Sequence, residues 1–82
     1  MKIYDNAFDA IYGEDSPEAK LLKEKSDLMD KITDHIKENN ITQFEAALKV
    51  GCQQPRISRL MAGKISEFSL GWLFNAANNI GA

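Results

Sequence analysis

The side chains best able to do chemistry crowd into one short stretch. Gln53, Gln54, Pro55, Arg56, Ser58 and Arg59 stand almost consecutively, and Lys64 follows just after them. On a helix that begins around Gln53-Gln54, with Pro55 in its first turn, Ile57, Leu60 and Met61 share one side and anchor it in a core. The opposite side is then Pro55, Arg56, Ser58, Arg59 and Ala62. That face is short, polar and cationic and carries no acid, which suits insertion between two phosphate walls to read base edges. A helix face bearing Gln and Arg is, by itself, ordinary solvated surface. The spacing of the residues around it, from Thr42 to Lys64, assigns it to DNA contact.

Other chemistries find little support. One Cys excludes an internal disulfide framework, and together with one His it leaves no thiol and imidazole cluster for a metal. Cys52 has no base or cation beside it in sequence to activate a thiolate, so it is expected to pack in the core. His35, between Asp34 and Ile36, reads as a surface or boundary residue. Glu24 with Asp27, or Asp30 with Asp34, have the look of paired carboxylates, but lysines interleave with them on an exposed helix face. No catalysis and no cofactor are expected.

The elements that must position the basic stretch can be read from caps and periodicity. Ser16-Pro17-Glu18 opens a long helix with an N-cap hydroxyl, a first-turn Pro and an acid near the positive end of the dipole. Leu21, Leu22, Leu28, Met29, Ile32 and Ile36 form its apolar stripe. Lys25 lies inside that stripe, so either its stem snorkels or the first two turns face something else. Asn39-Asn40 ends it. Thr42 and Glu45 have capping-box spacing at the start of a second helix over Gln43–Val50, which stops at Gly51. The third helix runs to about Ala62, before Gly63-Lys64. A fourth starts near Ser69, with Leu70, Leu73, Phe74 and Ala77 at i, i+3, i+4 and i+7. Nothing alternates with period two. The fold class is all-α, with four or five helices in one domain over 16–82, a helix-turn-helix core at 42–62, and an N-terminal arm at 1–15.

Bulk composition agrees with a small intracellular binding module. A chain of 82 residues with 44% hydrophobic and 27% charged residues builds one modest core and excludes large active-site architectures. No apolar run reaches the ~20 residues of a membrane span, and Met1-Lys2-Ile3-Tyr4-Asp5 lacks the apolar stretch of a signal peptide, so the cytoplasm is the expected location. The net charge of −2 hides an asymmetry. Residues 1–39 carry six Lys against ten Asp and Glu, a balance of −4. Residues 40–82 carry Lys49, Arg56, Arg59 and Lys64 against Glu45 and Glu67, a balance of +2.

The segment from Ile41 to Lys64, ITQFEAALKVGCQQPRISRLMAGK, resembles the helix-turn-helix of the Xre family of lambda-repressor-like DNA-binding proteins. The shared frame is Ile-Thr-Gln, two small residues, Gly with an apolar neighbour, Ile-Ser, Leu and Gly-Lys. The wider chain is similar to the HigA-like antitoxins of that family, through Asn6-Ala7-Phe8 in the arm and Phe68-Ser69-Leu70 at the last helix. The resemblance implies a compact lambda-repressor-like domain in which Gln43 contacts a phosphate and braces Gln54, while Gln54 reaches a base edge. It also implies that Arg56 and Arg59 meet guanine or phosphate, and that Ser58, Lys64 and, more weakly, Lys49 position the module on the backbone. This chain departs from the family at Gln53, a poorer cap than Ser or Thr, and at Pro55, whose ring suits a thymine methyl.

The resemblance further implies a RelE-like toxin as partner on the acidic arm and long helix and repression of its own operon. A homodimer on a palindromic double-stranded operator is expected because one module of this size makes few base contacts. A stand-alone or phage-type Xre repressor, and an interaction module that has lost DNA binding, stay open beside it. Two apolar faces are left over, Phe44 with Leu48 and Trp72 with Ala76. Either the arm or long helix covers them, or they form an interface.

Overall fold

A computed structural model describes residues 16–82. Their order is α1 (Pro17–Glu38), α2 (Gln43–Val50), α3 (Gln54–Met61), a single 3₁₀ turn (Ile65–Glu67) and α4 (Leu70–Ile80), with no strand among the described residues. The fold is all-helical, as the periodicity requires. The expected arm, with Asn6 and Phe8, lies outside the described residues.

Local chemistry sets each boundary. Ser16 Oγ accepts the Ala19 N–H at 3.0 Å and Ser69 Oγ accepts the Trp72 N–H at 3.1 Å, so each hydroxyl takes a donor that the first helical turn leaves unpaired. Thr42 Oγ1 accepts from the Glu45 N–H at 3.0 Å, and the Glu45 carboxylate accepts the Thr42 hydroxyl at 3.2 Å, where the capping box had pointed to the Thr42 backbone N–H. α1 ends as the Asn39 side chain donates to the His35 carbonyl at 2.9 Å and Asn40 turns to φ 52°. Gly51 closes α2 at φ 88°, and its N–H and that of Cys52 both donate to the Ala47 carbonyl. A Cβ built on Gly51 meets nothing within 4 Å, so what the turn requires there is the left-handed backbone and not empty space.

One core joins all four helices. Met29, Ile32 and Ile36 from α1, Ala46 and Ala47 from α2, Ile57 and Leu60 from α3, Phe68, and Leu73, Ala76, Ala77 and Ile80 from α4 are its buried members. α4 packs on α1 and α2, and α3 on α2 and α1. The small side chains at 46, 47, 76 and 77 allow close approach, and Phe68, just outside α4, fills the large central slot.

Two expectations about faces are corrected. The α4 stripe is Leu73, Ala76, Ala77 and Ile80, one step round from the expected one: Phe74 is 57% exposed and Leu70 half-buried. Ala76, whose face with Trp72 was open between being covered and forming an interface, is buried. On α1, Leu21 is exposed, and the residues packed in the main core begin at Leu28; Ala19, although buried, is outside that cluster. The first turns of α1 therefore face away from the main core, the second of the two options that Lys25 left open.

Candidate nucleic-acid interface

α2 and α3 meet through a three-residue turn, Gly51 to Gln53. The buried pair Ala46 and Ala47 and the buried pair Ile57 and Leu60 tie both helices into the same core and fix the roll of α3 about its axis. That roll leaves Pro55, Ser58, Arg59 and Ala62 exposed, Gln54, Arg56 and Met61 half-buried, and Gln53 and Lys64 exposed at the two ends of the helix. Gln53 is the N-cap residue and makes no side-chain cap bond, the weakness expected of glutamine in that position.

The structure joins Gln43 to Gln54. Gln54 Nε2 donates to Gln43 Oε1, and Gln43 Nε2 points to Met61 Sδ at 3.7 Å. The first residue of α2 thus holds the first residue of α3 from the side, and both carboxamides sit half-buried. Ser58, Arg59 and Lys64 lie apart from this pair, further along α3 and just beyond it.

The arginines are less free than the sequence suggests. Arg56 lies across two aromatic rings, its guanidinium carbon 4.7 Å from the Phe68 centroid and 4.8 Å from that of Trp72. The rings themselves are 5.0 Å apart and tilted by 44°. Arg56 Nη2 also donates to the Glu67 carbonyl oxygen at 3.3 Å. Arg59 Nε stands 3.5 Å from Glu67 Oε1. The expectation of an acid-free face is therefore corrected: the 3₁₀ turn brings a carboxylate to its edge. Glu67, Phe68 and Trp72 were not among the expected site residues. Phe68 and Trp72 have an apolar periodicity that hides their contact with Arg56, and Glu67 is eight residues from Arg59.

Cys52 sits half-buried beneath the turn and packs on the core. Burial pushes its thiol up, against a smaller opposing pull from the Arg56 charge. The cation absent from its sequence neighbourhood is present in space, and desolvation outweighs it.

The leftover apolar faces resolve differently. Trp72 is half-buried under Arg56 and against Phe68, and Ala76 is in the core, so together they form no outer face. Phe44 and Leu48 are 68% and 83% exposed, and the long helix does not cover them. Among the described residues no group of three or more His, Cys, Asp or Glu could hold a metal ion, and no helix is long and apolar enough to cross a membrane.

Comparison with known proteins fits this geometry. A family described as a helix-turn-helix domain matches residues 11–82, nearly the whole chain. No curated protein and no solved structure matches. Two short helices set across a glycine turn, with the second presenting a polar face, are the defining parts of such a domain, and this chain belongs to the helix-turn-helix domain family, the type of module that DNA-binding regulators carry.

Proposed function

We propose that the protein is a sequence-specific DNA-binding transcription regulator that places α3 in the major groove. Residues 16–82 are the DNA-binding domain and 1–15 an arm. The observation that carries this reading is the outer face of α3: Pro55, Ser58 and Arg59 exposed on a helix whose other side is locked by Ile57 and Leu60, with the coupled Gln43–Gln54 carboxamides at its leading end. A carboxamide held by a neighbour is a preorganised reader of adenine, and Gln53 beside it, with Lys49 and Lys64 further off, would meet the phosphates.

One module makes few base contacts, so the reading includes a homodimer on an inverted repeat, with half-sites about one helical turn apart. The exposed Phe44–Leu48 pair is the face assigned to protein contact, in place of Trp72 and Ala76. We further propose that the protein is the antitoxin of a toxin–antitoxin pair, in keeping with its resemblance to HigA-like antitoxins. A basic ribonuclease-type toxin would meet the acidic N-terminal half, leaving α3 free for the operator.

The test is a titration of the DNA upstream of the protein's own gene at fixed salt. Gln54→Ala should weaken binding by about 1–3 kcal/mol, and co-expression with the adjacent open reading frame should yield a complex with a small basic protein. Loss of under ~0.3 kcal/mol would remove α3 from the interface. An interaction module without DNA binding is the second reading. What favours it is the engagement of both α3 arginines within the protein, which thins the cationic face to Lys49 and Lys64; failure of the wild type to bind any duplex at low salt would select it.

A further inference from the structure

Both arginines of α3 are held by one segment, from Glu67 to Trp72, but in different ways. Arg56 is half-buried and engaged on three sides, by two ring faces and a backbone carbonyl. A guanidinium is weakly hydrated and planar, so such a stack is a stable resting place for it. Arg59 is exposed and, among the described residues, its side chain meets the Glu67 carboxylate, itself exposed, at 3.5 Å. An exposed ion pair of that length is weak, and a phosphate displaces it readily. The two contacts meet at Glu67: its carbonyl takes Arg56 and its carboxylate takes Arg59.

We propose that this segment divides the work of the two arginines. Arg56 is a positioning residue that stays stacked on Phe68 and Trp72 and pins α3 against the start of α4. Arg59 is the arginine delivered to a DNA phosphate. Glu67 competes with that phosphate for Arg59 and so sets the affinity of the interface. The delivery of Arg59 rests on the DNA-binding reading above; the clamp at Arg56 does not.

The experiment measures duplex affinity against salt for the wild type, Arg59→Ala, Arg56→Ala, Arg56→Lys, Glu67→Gln and the Glu67→Gln/Arg59→Ala pair. Emission of Trp72, the single tryptophan of the chain, is recorded on each protein without DNA. Arg59→Ala should lower the salt slope by about one phosphate's worth. Glu67→Gln should tighten binding about 2- to 5-fold, the scale of an exposed pair, and the gain should vanish in the Arg59→Ala background. Arg56→Ala should leave the salt slope unchanged while shifting the Trp72 emission. Arg56→Lys keeps the charge but cannot stack a plane on the rings, and it should shift the emission too.

A slope lowered by Arg56→Ala and untouched by Arg59→Ala would reverse the roles and overturn the proposal. So would a Glu67→Gln gain that persists without Arg59, since it would then be a general effect of removing a negative charge. Absence of DNA binding by the wild type would end both the DNA reading and the role of Arg59. Unchanged Trp72 emission in both folded Arg56 variants would end the clamp.

Discussion

At Cys52, two opposing forces act on one thiol and burial wins. The consequence is a thiol that is harder to ionise folded than unfolded. A raised folded value means that the native state keeps its proton longer, so the stability contributed by the neutral thiol is complete below the ordinary thiol value of about 8.5 and declines as pH rises past it. The native protein should therefore react with a disulfide reagent at neutral pH more slowly than the urea-unfolded chain does. Cys52→Ala should flatten the fall in melting temperature above about pH 8.5. Equal reaction rates in the two states would contradict the assignment. Core packing of Cys52 was legible from its isolation in sequence, whereas the Arg56 charge was not, since it comes close only once the chain enters the first turn of α3. The same limit applies to Arg59 and Glu67, whose pairing depends on the path of the 3₁₀ turn.

At the scale of elements, the helix boundaries were readable because caps are local. Ser16, Thr42, Gly51 and Ser69 act within four residues of themselves, and each stands where its chemistry placed it. Faces were harder to read. The roll of α4 depends on Phe68 occupying the core from outside the helix, and periodicity inside 70–80 cannot report that. The empty space around the Gly51 Cβ position separates two possible costs of substitution: Gly51→Ala meets only the left-handed backbone penalty, about 1–2 kcal/mol, and a loss near 4 kcal/mol in chemical denaturation would reveal a clash that the structure does not contain. α2 also carries the exposed Phe44 and Leu48. Leu48→Glu should leave the melting temperature within about 2–3 °C of the wild type, because the site is solvated, and shift sedimentation toward the monomer. An unchanged dimer would move the interface elsewhere.

Across the whole molecule, charge and architecture divide the chain in the same place. The long α1 lies in the acidic half and supplies one wall of the core; α2 and α3 lie in the basic half and carry the polar face. The helix-turn-helix was legible because Gly51, Ile57 and Leu60 must all agree before two short helices can cross closely, and three agreeing constraints leave little freedom. What the residues could not convey was how much of the cationic face is already engaged by the protein's own rings and carboxylate. Sequence-specific DNA binding is the central claim, and its most direct test is selection from a randomised duplex pool with the purified full chain at ~150 mM salt, where weak non-specific binding is suppressed. An enriched inverted repeat with half-sites about one helical turn apart is the predicted result, and its spacing would report the dimer. No enrichment from protein shown to be folded would contradict the claim and leave the helix-turn-helix as a scaffold for a protein partner.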